Sequence, residues 1–267
     1  MPEELKMVEE TSNNFSCGNV SLKIRGSVAK LTISSPPVNA VGLALVSDIS
    51  SVLDHILNET DATVIRITSD LRVFSAGADL KEVDGILNSD TPEIEMRNFV
   101  ETLHRLNDRI ETMSLVTVAE LQGAAIGGGL ELALACDFRL ANHSAKVGLP
   151  EASLGLIPGA GGTQRLKELA GISVARKLIL SCEIIDAETA LSLGVIDKIF
   201  DADSFDVNAS QFAHQLATNT DAALSAAKLC LAQSGKKGFL TEITEISKLA
   251  GHEETKSRIN QFLKHAK

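Results

Sequence analysis

The chain has 267 residues, a formal net charge of −10, 44% hydrophobic residues and 22% charged residues. That length suits one large domain, or one domain with a helical appendage, and the second is expected; the composition is that of a globular protein, not a disordered one. The acidic balance opposes broad nucleic-acid binding, which draws its affinity from neutralised phosphates, and 3% aromatic residues with no Trp or Tyr leave few platforms for stacking bases. No apolar run reaches the ~18 residues of a membrane span, because Glu120, Gln122 and Glu131 interrupt the best candidate. Residues 1–10 are acidic and lack an apolar core, unlike a secretory signal or an arginine-rich transit peptide. A cytoplasmic protein is expected, or a mature mitochondrial or other organellar form. Cys17, Cys136, Cys182 and Cys230 are widely spaced, as reduced thiols are, and form neither a disulfide framework nor a zinc site.

In chain order, residues 1–18 show no periodicity and are expected to be a flexible lead-in. Val20–Arg25 and Val28–Ile33 read as strands of a hairpin turning at Gly26-Ser27. Pro36-Pro37 is expected to force extended backbone. Over 43–57 apolar residues such as Leu45, Ile49, Val52 and Ile56 fall at helical spacing, and 62–68 returns to a β-branched strand. Residues 73–79, Val-Phe-Ser-Ala-Gly-Ala-Asp, form a small-residue turn into a helix beginning at Leu80, with Asp79 placed to cap it. Pro92 suits the first turn of a long helix ending near Met113.

The centre of the chain is the strand-like 115–121, followed by Gly123-Ala124-Ala125-Ile126-Gly127-Gly128-Gly129-Leu130-Glu131 and the helix-forming 130–136. Three glycines in a row weaken either element, so they point to unusual backbone angles or close approach to a ligand. Amide groups at a helix start have no partner within the helix and carry the positive end of its dipole, which makes an anion or oxyanion site. Short strands are expected at 138–141 and 146–148 about a turn at Asn142-His143-Ser144. Alternating strands and helices from Val28 to Gly148 predict a largely parallel sheet. Beyond Gly161 the pattern is mostly helical, over 164–169, 174–180, 187–193, 204–232 and 239–265, with one extended stretch at 195–200. The expected division is a lead-in at 1–18, a core at 19–204 and a helical region at 205–267 that packs as a helical subdomain or on a neighbouring subunit.

The sequence holds no His-Glu-x-x-His, Gly-x-Ser-x-Gly or phosphate-loop motif, and its glycines lack the dinucleotide-binding spacing. Taken singly, Glu131 reads as a first-turn glutamate meeting a helix dipole, Glu151 as a loop carboxylate, Asp79 as a cap, and Gly159, Gly161 and Gly162 as aids to close packing. Together, residues 73–82, residues 123–137, and residues 148–166 with their Pro158-Gly159-Ala160-Gly161-Gly162-Thr163-Gln164-Arg165 run closely resemble the enoyl-CoA hydratase/isomerase (crotonase) family, over roughly 20–267. The resemblance implies an α/β fold, a crotonase-like spiral of ββα repeats with a C-terminal helical region, assembled as a homotrimer or a dimer of trimers.

It further implies an acyl-CoA thioester as substrate and no metal or redox cofactor, coenzyme A being part of the substrate. Carried over by position, Ala76 and Gly128 match the two backbone amides of the oxyanion hole, and Glu131 and Glu151 the acid–base pair of the hydratases. Ser75, Gly77, Ala78, Asp79, Leu80, Gly127, Pro150, Pro158 and Gly159 match substrate-binding positions. Many hydratases carry a basic residue in the turn that is here Ser34-Ser35-Pro36-Pro37-Val38-Asn39-Ala40, so Lys81 or a lysine near the C-terminus of an adjacent subunit is expected to meet the CoA phosphates instead. Retention of both glutamates points to hydration of a trans-2-enoyl-CoA. A methylglutaconyl-CoA hydratase, an enoyl-CoA isomerase and a noncatalytic acyl-CoA-binding scaffold are the alternatives.

Overall fold

The computed structural model describes residues 14–265. Its main sheet has seven strands in the order β1 (Asn14–Cys17), β2 (Val20–Arg25), β3 (Val28–Ile33), β4 (Val64–Ser69), β5 (Val116–Leu121), β7 (Phe138–Asn142) and β10 (Lys198–Phe200). The first three strands pair antiparallel, and every pairing from β3 onward is parallel. A smaller sheet joins β6 (Ala125–Ile126), β8 (Lys146–Gly148) and β9 (Ile185–Asp186).

β4 and β5 are buried along their whole length, as parallel strands covered on both faces must be. On one face Ile65 and Ile67 of β4 pack in a cluster with α1 (Leu43–Glu59) and α3 (Pro92–Thr112), through side chains such as Ile49, Leu53, Leu103 and Ile110. On the other face Val64, Val116, Val118 and Leu140 meet Phe205, Ala209 and Ala213 of α7 (Phe205–Leu216). The alternation along β4 is the two-residue period of a strand, with neighbouring side chains feeding opposite layers.

The smaller elements position the loops. α2 (Leu80–Leu87) begins at Asp79, whose carboxylate accepts from the amides of Lys81 and Glu82. α4 (Gly128–Leu134) follows β6 directly, and α5 (Gly162–Leu180) is kinked at Gly171, where the sequence pattern also breaks. α6 (Ala187–Ser192), α8 (Asp221–Leu231), α9 (Gly235–Leu249) and α10 (Glu253–His265) complete the chain. No helix among the described residues is long and apolar enough to cross a membrane.

Three expectations change. The lead-in expected at 1–18 ends in β1: its residues 14–17 pair with β2, and Phe15 stacks on His55 of α1 at 4.1 Å; residues 1–13 lie outside the described part. Pro36 to Asn39 form a turn instead of extended backbone, pinned where the Ser35 carbonyl accepts from the Asn39 amide at 2.8 Å. The helical stretches expected at 204–232 and 239–265 are four helices, α7 to α10; Thr220 caps α8 by accepting from the amide of Ala223, and α9 begins before Phe239. α7 covers the sheet, and Lys228 of α8 is buried against the core. Its ammonium donates to the carbonyls of Ile110 and Leu115 and to Asp137, satisfying the C-terminal end of α3.

Candidate active site

A cavity of about 540 Å³ opens between the turn at 35–40, the segment leading into α2, the β6–α4 corner and the loop at 150–156. Ala76, Gly77, Ala78, Asp79, Leu80, Gly127, Pro150 and Glu151 line it, as do Lys81, Val83, Leu154 and Leu156. Most of its surface is therefore apolar, and the segment Ala76–Asp79 forms one wall.

That wall is built from backbone. Phe74 and Ser75 donate their amides to Ala124, which fastens the segment beside β6. The amide of Ala76 donates to Val38 at 3.0 Å, that of Gly77 to the Ser75 hydroxyl at 3.2 Å, and that of Asp79 to Val41 at 3.1 Å. In extended chain successive amides face opposite sides. Between Gly77 and Asp79, both tied to Val41, the amide of Ala78 faces away and has no partner among the described residues. It points toward α4: a Cβ placed on Gly128 would stand 3.3 Å from the Ala78 nitrogen. Gly128 is the first residue of α4, and its own amide lacks an intrahelical acceptor. The free pair is thus Ala78 and Gly128, and the expectation of Ala76 is corrected because Val38 already takes its hydrogen.

Glu131 is 3% exposed, and its Oε1 accepts from the amides of Ala160 and Gly162, each at 2.8 Å. Gly162 opens α5, so the carboxylate also sits at the positive end of a second helix. Burial raises its proton affinity above the ordinary carboxylate value, while those two amides and the charges of His104 and Arg165 work against the rise. Glu151 opens a short 3-10 turn, Glu151–Leu154, and is half-buried. Its Oε2 is buried without a hydrogen-bond partner. Burial, and then the charge of Glu131, push its pKa up to about 7, with its own backbone amide opposing. The two amides favour the charge on Glu131, and the buried, unpartnered Oε2 favours the proton on Glu151.

Gly127 and Gly161 are glycines of necessity. Gly127 has φ +52°, and a Cβ there would come within 2.9 Å of Glu151 Oε1. Gly161 has φ +104°, and its Cβ would fall 2.0 Å from Arg165 Nη1. Of the other predicted positions, Ser75, Gly128, Glu131, Pro158 and Gly159 do not line the cavity. Ser75 donates its hydroxyl to Asn39, and Gly159 packs toward Val100. The turn at 35–40 lines the cavity and is tied to the 74–76 segment by long-range contacts that its own sequence does not announce, Val38 accepting from Ala76 and Asn39 donating to Phe74. Among the described residues no group of three or more His, Cys, Asp or Glu side chains is arranged to hold a metal ion.

A sequence profile described as enoyl-CoA hydratase/isomerase matches residues 23–264. A probable enoyl-CoA hydratase of Bacillus subtilis is 44% identical over 66% of this chain and 67% of its own. The 2,3-dehydroadipyl-CoA hydratase of Escherichia coli is 35% identical over 88% of this chain and 92% of its own. Against peroxisomal bifunctional enzymes the chain spans only 24–27% of the relative's length. An enoyl-CoA hydratase structure from Geobacillus kaustophilus superimposes with a TM-score of 0.89 at 29% identity, covering 96% of this chain and 97% of that one. With the parallel-rich sheet, the β6–α4 corner and a profile match over nearly the whole length, the chain belongs to the enoyl-CoA hydratase/isomerase family and has the crotonase fold.

Proposed function

We propose that this protein is a 2-enoyl-CoA hydratase, adding water reversibly to a trans-2-enoyl-CoA to give a 3-hydroxyacyl-CoA. The observation that carries the reading is the contrast between two coupled glutamates, of which Glu151 lines the cavity: Glu131 is gripped by two amides, and Glu151 is half-buried with an unpartnered oxygen and a pKa of about 7. Hydration needs a base and an acid at once, and this pair supplies one of each near neutral pH.

In this reading the thioester carbonyl oxygen lies between the amides of Ala78 and Gly128. The Glu131 carboxylate takes a proton from water as the water oxygen bonds to C3. The C2–C3 π electrons move toward the carbonyl, and the oxygen gains the negative charge that the two amides stabilise, by about 3 kcal/mol each. The Glu151 carboxyl delivers its proton to C2. The two carboxyls return to their starting state by exchanging one proton through solvent. An isomerase that shifts a double bond needs only one carboxylate, so both being in place supports hydration.

Lys81, the basic residue among those lining the cavity, sits on the first turn of α2 and suits the CoA phosphates. The remaining wall, with Val83, Leu154 and Leu156, suits an uncharged acyl chain better than a carboxylated one. We further assign the exposed apolar residues of α9 and α10, among them Phe239, Ile243, Ile246 and Phe262, to contact with other copies of the chain in a trimer. The test is the loss of enoyl absorbance with crotonyl-CoA, compared with 3-enoyl, methyl-branched and carboxylated thioesters. Crotonyl-CoA should turn over fastest. Tight thioester binding with no turnover of any of them would mean a scaffold, and preference for the 3-enoyl thioester an isomerase.

A further inference from the structure

α3 buries five residues: Phe99, Leu103, Leu106, Asn107 and Ile110. Four are apolar; Asn107, 3% exposed, is not, and the reaction described above makes no direct use of it. A buried amide on an apolar face is retained only where its hydrogen bonds are met. Its Nδ2 donates to the carbonyl of Ala160 at 2.9 Å. The same oxygen accepts from Arg165 Nη1 at 3.0 Å. Arg165 is itself held by α3, with Nη2 on Asp108 at 2.6 Å and on Glu111 at 2.7 Å. One helix therefore grips the corner at 160–165 at three points, and on the opposite side of that corner the amides of Ala160 and Gly162 converge on Glu131 Oε1.

We infer that Asn107 is a positioning residue: by holding the Ala160 carbonyl it fixes the two amides that orient Glu131. The inference rests on the proposed role of Glu131 as base, and adds to it that the aim of this carboxylate is set from α3, 24 residues earlier in the chain. Arg165 alone does not hold the corner, because its fork is shared among three acceptors and its side chain pivots about a flexible stem. Asn107 has a short side chain on a rigid helix. The charged and titratable groups that face Glu131 are Glu151 from the loop at 150–154, His104 from α3 and Arg165 from α5, the last paired with Asp108 and Glu111.

The test is Asn107→Leu, which keeps the branched outline of the side chain and removes the donor, measured for kcat, KM and pH profile with crotonyl-CoA. kcat should fall about tenfold with KM within twofold, and the acid limb of kcat should move to higher pH as the weakened amide pair stabilises the carboxylate less. In a Glu131→Gln background the same change should cost almost nothing further, because the effect passes through Glu131. Should Asn107→Leu fold poorly, Asn107→Ala, shorter and well suited to a helix, is read in the same way. An equal loss in both backgrounds, or a lower kcat with an unmoved acid limb, overturns the positioning role and leaves the role of Glu131 intact. A near-normal rate for Glu131→Gln alone overturns the role of Glu131 instead.

Discussion

Glu151→Gln tests the electrostatics of the site without relying on its chemistry. The parent carboxyl has a pKa near 7 in the folded protein against a reference of 4.5, so its folded value is raised. A raised group contributes stability that is fully present below the unfolded value and lost as pH rises through the folded one. The window is therefore from about pH 4.5 to just above 7, and beyond it the protein carries an ionised carboxylate in an unfavourable place. Solvent reaches this half-buried group, so the cost is discounted to about 1–2 kcal/mol. Glutamine keeps the shape and never ionises. At pH 5 parent and variant should melt together within about a degree, and at pH 8.5 the variant should melt roughly 2–6 °C higher. The assay is thermal unfolding at fixed protein concentration, since self-association also raises the melting temperature. Turnover should meanwhile fall by two or more orders of magnitude at both pH values, and that of the parent should decline as pH rises through about 7, where Glu151 loses the proton it donates. Parallel melting curves across the whole pH range would refute the assignment of a raised pKa to this carboxyl.

Gly161→Ala drives a Cβ to 2.0 Å from Arg165 Nη1 at a backbone angle of φ +104°. The Arg165 side chain must swing aside and the backbone is strained, with an expected loss of about 1–3 kcal/mol in denaturant unfolding and a fall in kcat as the amides of Ala160 and Gly162 shift from Glu131; an unchanged unfolding midpoint contradicts this. Ile243→Asp places a charge on the apolar face of α9, where Ile243 is 62% exposed. Sedimentation should show the parent as a trimer or hexamer and the variant as smaller species. A monomeric parent at micromolar concentration sinks the assembly proposal.

Much of the fold was legible because its signals are local. The β2–β3 hairpin, α1, β4 and β5 each show the periodicity of their element, and the Gly123–Glu131 run marks the strand-to-helix corner. β1 was not legible: Asn14-Phe15-Ser16-Cys17 is a short polar edge strand, held by Phe15 on His55 and by an Asn19 amide donating to Asp48, contacts that span 29 to 40 residues. The breaks among α7, α8 and α9 fall at Thr218 to Thr220, where Thr220 caps α8, and before Gly235, whose φ is +56°.

At the site, residue type pointed to both glutamates and to the glycine corner. Which amide is free was not legible, because in Ala76-Gly77-Ala78, where Gly77 has φ +111°, the answer depends on where Val38 and Val41 lie. Asn107 did leave a trace, a lone amide among Leu103, Leu106 and Ile110. Its partner, however, is a carbonyl 53 residues away that no pattern discloses.

Two carboxyls of unequal proton affinity and two free amides make up the proposed thioester site. Its most direct test is crotonyl-CoA hydration by Glu131→Gln and Glu151→Gln, with thioester binding measured separately by calorimetry. Each variant should bind the thioester within a few-fold of the parent and hydrate it at least a hundredfold more slowly. Near-normal hydration by either variant would contradict the paired acid–base chemistry.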